Sequence, residues 1–439
     1  GLRTFATNAG DAYGRMAQFL AERADPLRHL PPLELSTIAR ELQTGEVAVV
    51  IGPHRAAVVP ARQLLPRTNL RQDQRGVVQF DQRFRGEQVL AAAVRSLAVE
   101  HMPMVVFVHD APRSLLRPSS DQTDLFGVAS MLALSRYDVR EWMVATETAP
   151  PEPEPGQASV WVVIPPLDQK GLEPTPAERR LLDATREHLE RGGAMVLSLK
   201  PSHLPKLGHA DPWAALGDAL GLTFDTSSIV LEAQRDEAGR PTIVEVQTTT
   251  RFTDAHPIGR AVDGLQARFN FPIPIHVDAD VAGRVTPLAM IDADPRRWIE
   301  DDLLRPRDAV EPPPPDERLD RALPLALAVE RTTREGERAR TVVVGSMSWM
   351  MTHTADQTAS VGGDRVALRN PGNHELLLAS VAWLAGMDDL IAQSPAGRQI
   401  ARLDGVTPDV RRRWFWAIVV GLPLAGLALG AVVAVARRR

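Results

Sequence analysis

His109-Asp110, directly after the apolar run Val105-Val-Phe-Val108, is the pair best placed to do chemistry in this sequence. A carboxylate beside an imidazole tunes it as a base or as a metal ligand. His353 with Asp356, and His374 with Glu375, repeat the combination further along. Adjacent residues in a loop usually point apart, so each pair also reads as solvated polar residues. Gly345-Ser-Met-Ser-Trp349 follows another apolar run and superficially resembles a nucleophile elbow built on Ser346. An elbow relieves its strained turn with glycine on both sides of the serine; Met347 and Trp349 stand in their place. No HExxH is present and no three histidines cluster, so a metal site would have to be assembled from distant residues.

Other chemistries are excluded by residue type. The chain has no cysteine, which removes disulfides, thiolate nucleophiles and cysteine metal sites. No two glycines are spaced as G-x-G and no glycine precedes a lysine. That excludes the dinucleotide fingerprint and the Walker A phosphate loop. Lysine occurs only at 170, 200 and 206, and the formal charge is −5, which argues against a nucleic-acid partner. No catalytic, cofactor-binding or metal-binding residue is therefore assigned, and no cofactor is expected.

The elements that position these residues follow an alternating pattern. At 439 residues the chain has room for two or three domains. Residues 1–96 read as a small mixed α/β unit: helices over 11–23 and 33–42, a hairpin from 46–51 and 56–59, and a helix over 84–97. From Met102 the order becomes strand and helix in turn. The strands are 105–108, about 139–144, 160–164 and 194–199, with a helix over 125–134 and another that opens at Thr175 and is stopped by Gly192-Gly193. Thr175-Pro-Ala-Glu178 combines an N-cap, a proline at the first helical position and a glutamate three after the cap. Asp211-Pro212 is expected to open a further helix ending at Gly221. Residues 223–335 form a β-rich insertion with runs at 228–232, 242–248 and 288–291. His256-Pro-Ile258 and Pro272–Pro274 read there as turn and register devices, the proline at 257 preventing helix and favouring an extended entry to the next strand. The chain returns to the sheet at 325–330 and 341–345, and a helix over 373–384 closes the domain at 386. The expectation is a mainly parallel α/β sheet flanked by helices.

Residues 387–413 lead to the most strongly patterned stretch. Arg411-Arg412-Arg413 and Arg437-Arg438-Arg439 bracket residues 414–436, none of them charged. As a helix that run would reach about 34 Å, slightly more than a hydrocarbon core of roughly 30 Å. Trp414 and Trp416 sit where indoles mark the headgroup level, with arginines holding both ends in water. A C-terminal transmembrane helix is expected in a lipid bilayer. Gly426 and Gly430 make a small-xxx-small step on it that would let a partner helix approach closely.

Several stretches, taken in order, carry a resemblance. They are Phe84-Arg-Gly-Glu-Gln-Val-Leu90, Asp254-Ala-His-Pro-Ile258, Pro287-Leu-Ala-Met-Ile-Asp-Ala-Asp-Pro-Arg-Arg-Trp298, Leu323-Pro-Leu-Ala-Leu-Ala-Val329, Val342-Val-Val-Gly345 and Asn373-His-Glu-Leu-Leu-Leu-Ala-Ser-Val-Ala-Trp-Leu-Ala-Gly386, followed by the arginine-flanked run. Over roughly residues 80–439 this resembles the GldG-like family, gliding-motility-type auxiliary components of ABC transport systems. The resemblance implies an extracytoplasmic α/β domain related in fold to class I glutamine amidotransferases, without their catalytic machinery. It further implies a bacterial cytoplasmic-membrane protein beside an ABC permease, with a separate ATPase subunit supplying energy. The chain departs from the family at Ser346 and Ser348, where members usually have acidic residues. It also shows no N-terminal membrane segment; a segment outside this sequence, and a body outside the cytoplasm, are the expectation. The rival readings are a membrane-bound hydrolase or amidase using His109, Asp110 or Ser346, and a cell-envelope ligand-binding module with an exposed aromatic cleft.

Overall fold

Along three neighbouring strands the side chains alternate between two apolar layers. Val105, Phe107, Val160, Val162 and Val196 enter one core, while Met104, Val106, Val108, Trp161, Val163, Met195 and Leu197 enter the other. A strand buried on both faces needs continuous apolar sequence, which is why these segments are so rich in valine. The fold is that of a computed structural model describing residues 35–52, 55–64, 68–72, 78–81, 85–120, 123–168, 171–235, 239–278, 284–305, 310–333, 336, 338–360, 366–391, 408–421 and 423–424, with a few positions between 15 and 22. It comprises two compact units, 1–397 and 398–439.

The first unit is built on a seven-stranded sheet. Its strands are β1 (Met104–His109), β2 (Asp138–Met143), β3 (Ser159–Val163), β4 (Ala194–Ser198), β5 (Arg284–Ile291), β6 (Leu323–Thr332) and β7 (Arg338–Val344), in spatial order β5-β6-β7-β4-β3-β1-β2. The run β7-β4-β3-β1-β2 is parallel, and β5 and β6 add an antiparallel edge. The expected mainly parallel sheet is therefore present, as a mixed one.

The longer helices among the described residues are α1 (Leu35–Thr44), α2 (Gly86–Ala98), α3 (Phe126–Leu134), α4 (Pro176–Glu190), α5 (Pro371–Leu384) and, in the second unit, α6 (Pro408–Trp416). One core takes Val128 and Leu132 of α3 together with Leu376, Leu377 and Val381 of α5; the other takes Leu181, Leu182 and Leu189 of α4. The α4 start carries the expected capping box: Glu178 N donates to Thr175 Oγ1 at 3.2 Å, and Thr175 N donates to Glu178 Oε2 at 2.6 Å. Ahead of the sheet, Val47–Ile51 pairs with Ala56–Pro60 in the expected hairpin, and α2 packs Val89 and Ala93 against its Ala57 and Val59. Most of the helix expected over 11–23 lies outside the described residues.

Three local expectations are corrected. Asp211 opens no α-helix; two 3-10 turns, Ala214–Leu216 and Asp218–Leu220, take its place. Gly217 lets the chain pass close to itself there, since a Cβ would sit 2.1 Å from the Leu222 carbonyl oxygen. Pro257 does not prevent helix: it starts a short one, Pro257–Val262, at the position where a missing N–H costs nothing, with His256 as the cap. The single β run expected over 242–248 divides at Glu245 into Pro241–Val244 and Val246–Thr249, which pair in different sheets.

In the second unit α6 continues as a π-helical stretch, Ala417–Gly421. Helix begins at Pro408, ahead of the bounds expected from the apolar run. Among the described residues no helix is long and apolar enough to cross a membrane. The expected transmembrane helix over 414–436 is thus not among the helices seen, and Gly426, Gly430 and Arg437–Arg439 lie outside the described residues.

Candidate functional site

The carboxyl ends of the parallel strands are where a sheet of this kind meets ligands, at the point where the chain reverses its direction of travel across the sheet. From β1 the chain moves outward to β2 and then returns to the other side of β1 as β3. The reversal therefore falls between the ends of β1 and β3. Three segments lead from this edge: His109-Asp110 at the end of β1, Pro165–Asp168 after β3, and Leu199-Lys200 after β4.

The structure pairs His109 with Glu141 rather than with Asp110. Strands β1 and β2 run side by side, placing His109 Nε2 2.9 Å from Glu141 Oε1. The same carboxylate oxygen accepts the Leu115 N–H at 2.6 Å and the Leu116 N–H at 3.3 Å. Burial opposes ionisation of Glu141, but the hydrogen bonds from His109, Ser114 and Leu115 together hold its carboxyl below the ordinary glutamate value. At 1% exposure His109 is closed to solvent, and its Nδ1 is buried without a hydrogen-bond partner.

Ser346 has a structural partner of its own. It is fully buried and its hydroxyl donates to the Asn270 carbonyl oxygen at 2.7 Å. It follows β7, three strands from β1, and three strand spacings are about 14 Å. Ser346 and His109 are not brought together. Ser348 begins a 3-10 turn, Ser348–Met350, whose Trp349 indole donates to Ser198 Oγ at 3.1 Å. Asn373 Nδ2 fastens the same turn by donating to the Trp349 carbonyl oxygen at 2.8 Å. Of the other pairs, His374 meets Asp356, with Nε2 2.7 Å from Oδ1, while Glu375 is buried.

A cleft that sequence reasoning missed lies past the end of β4. Its cavity of about 40 Å³ is lined by Lys200, Asp211 and Glu178 among apolar walls that include Leu182, Leu204 and Trp213. That is room for about three waters. The Lys200 ammonium donates to the Pro166 carbonyl oxygen. Burial pulls the Lys200 amine below its ordinary value, against the opposing pull of Glu178, Asp211, Asp110 and Asp168. Burial also pushes Asp211 up, although Thr226, the Trp213 N–H and Lys200 all favour its charged form. Two neighbouring groups displaced toward neutrality is the pattern that marks acid–base pairs at functional sites. One signal was available in the sequence: Lys200 is one of three lysines in the chain and stands at a strand's carboxyl end. Asp211 offered none, because its proximity comes from the turns between β4 and residue 222.

No group of three or more acidic or histidine side chains that could hold a metal ion occurs among the described residues. The second unit presents the start of the arginine-bracketed run. Arg412 and Arg413 are exposed on α6, which also includes Arg411. Trp414 and Trp416 are 63% and 55% exposed, and Phe415, Ile418 and Val419 are exposed with them.

Neither a protein-family model nor a curated protein matches the chain. Among solved structures it is similar to the mmIFT52 N-terminal domain, at 12% identity over 64% of this chain and 96% of that one, with a TM-score of 0.37. A likeness that loose carries no argument about function.

Proposed function

We propose that this chain is a non-enzymatic, membrane-anchored auxiliary subunit of an ABC-type transport complex, of the GldG-like kind. The C-terminal run 414–436 spans the bilayer of a bacterial cytoplasmic membrane, and the α/β body, of the class I glutamine amidotransferase-like type, stands outside the cytoplasm. The permease is its neighbour in the membrane, and a separate ATPase subunit supplies the energy that a chain without a Walker A loop lacks the means to take from nucleotide.

The observation that carries this reading is the exposure of the helical segment at 414–421. Trp414, Phe415, Trp416, Ile418, Val419 and Val420 are all exposed, an apolar run of side chains with no polar one among them. A helix apolar on every side needs an apolar surrounding, and the flanking arginine triplets fit a bilayer with watery surfaces. The buried roles of Ser346 and His109 also favour association over hydrolysis, since each is bonded to a structural partner.

The test is fractionation of cells expressing the full chain, followed by detergent extraction and pull-down. The chain should resist alkaline extraction from membranes and recover a permease, and Gly426→Leu with Gly430→Leu should weaken that recovery. Recovery of the whole chain in the soluble fraction would overturn the reading.

A further inference from the structure

We propose that Lys200 is a carbonyl-capture site, its amine condensing reversibly with a small uncharged aldehyde seated in the cleft beyond β4. The cleft meets the three needs of such a site. It supplies an amine: Lys200 lines the cavity, held in place by its bond to the Pro166 carbonyl oxygen. It supplies a carboxyl group in the same lining, Asp211, oriented by the Trp213 N–H, which donates to Oδ1 at 3.1 Å. It also supplies apolar surface for a short carbon chain, from Leu182, Leu204 and Trp213.

Charge and size narrow the ligand. Glu178, Asp211, Asp110 and Asp168 all act electrostatically on Lys200. A keto acid or phosphorylated aldehyde would add an anion to the carboxylates of Glu178, Asp110 and Asp168, so the carbonyl compound is neutral. A cavity of about 40 Å³, with room for about three waters, restricts the ligand to a short-chain aldehyde. Burial acts on both groups in the direction condensation favours, lowering the amine and raising Asp211.

The step balances without an oxidant or reductant. The Lys200 nitrogen lone pair attacks the carbonyl carbon, and the π pair moves to oxygen, which takes the Asp211 proton. The ammonium proton of the adduct returns to Asp211. The carbinolamine oxygen then takes that proton again and leaves as water while the nitrogen lone pair forms C=N. The resulting iminium loses its N–H proton to Asp211, leaving an imine and one water. This is capture, not turnover.

The chain's three lysines make the test direct. Full-length protein is treated with propionaldehyde and cyanoborohydride near neutral pH, and N-propylation is followed by peptide mass spectrometry. Lys200 should label severalfold faster than Lys206, which is paired with Asp301 at 3.1 Å. Asp211→Asn should slow labelling at Lys200 alone, and so should Leu204→Trp, which fills the cleft; circular dichroism of each variant checks the fold. Labelling of Lys206 as fast as Lys200, or a Lys200 rate unchanged in a folded Leu204→Trp variant, would overturn the proposal.

Discussion

Glu141 Oε1 accepts from His109 Nε2 at 2.9 Å and from the Leu115 N–H at 2.6 Å, so one carboxylate joins two adjacent strands and the loop that leaves the first of them. The histidine that looked most like a catalytic base in sequence is held as part of a strut. Glu141→Ala strands a buried imidazole and a backbone N–H and should cost about 3 kcal/mol of unfolding free energy, measured by urea titration. Because the Glu141 carboxyl is held below its ordinary value, its share of stability is present above the unfolded glutamate value and is lost as pH falls through the folded one. Glu141→Gln should therefore flatten the acid side of the stability profile.

His188 supplies a second pH-dependent element of opposite charge type. Its ring stacks on Trp161 with centroids 3.9 Å apart and planes 3° from parallel. Burial lowers it from 6.5 to about 4, and the nearby Arg191 charge adds to the effect. Between those two values the unfolded chain binds a proton that the folded chain does not, so stability falls as pH drops from 6.5 toward 4. The loss is on the order of 3 kcal/mol. Replacing His188 with Phe keeps a stacked ring and should remove this part of the pH dependence in thermal melts.

Gly259 should reverse the usual helix rule. Within Pro257–Val262 a glycine-to-alanine change would ordinarily gain about 1 kcal/mol. Here a Cβ would stand 2.0 Å from the Thr253 carbonyl oxygen, a backbone atom that cannot rotate away. Gly259→Ala should therefore destabilise, by about 2 kcal/mol, with a lower midpoint in urea; a gain in stability would show that the close approach is absent.

Ser198 tests the anchoring of the Ser346–Met350 segment. Its hydroxyl accepts the Trp349 indole N–H deep in the core. Ser198→Ala leaves that donor unpaired and should cost about 1–3 kcal/mol, seen as a lower melting temperature with the far-ultraviolet spectrum unchanged.

What was legible in the sequence was local. Thr175-Pro-Ala-Glu178 announces a helix start within four residues, and continuous valine runs announce strands with two covered faces; the structure shows both. Meetings between distant residues were not legible. His109 could not be matched to Glu141 before the register of β1 on β2 was known, because the two are 32 positions apart. Ser346 resembled a nucleophile until its bond to Asn270, 76 positions earlier, gave the hydroxyl another purpose. Pro257 is ambiguous in sequence because one residue type both ends helices and begins them, and only the cap at His256 distinguishes the two cases. The meeting of Lys200 and Asp211 leaves no mark in the sequence because their common cleft is made by turns that carry no periodic pattern.

The order of the strands also governs what happens during synthesis. β4 acquires its second neighbour only when β7 arrives, with Ser198 beside Val344. At about 5–20 residues per second the ribosome needs roughly 7–30 s to cover that interval. For that time an apolar strand, Ala194–Ser198, presents an open hydrogen-bonding edge to its surroundings, the situation in which chains pair with strangers. A nascent chain stalled before residue 338 should thus be a client for holding chaperones, and a completed one should not.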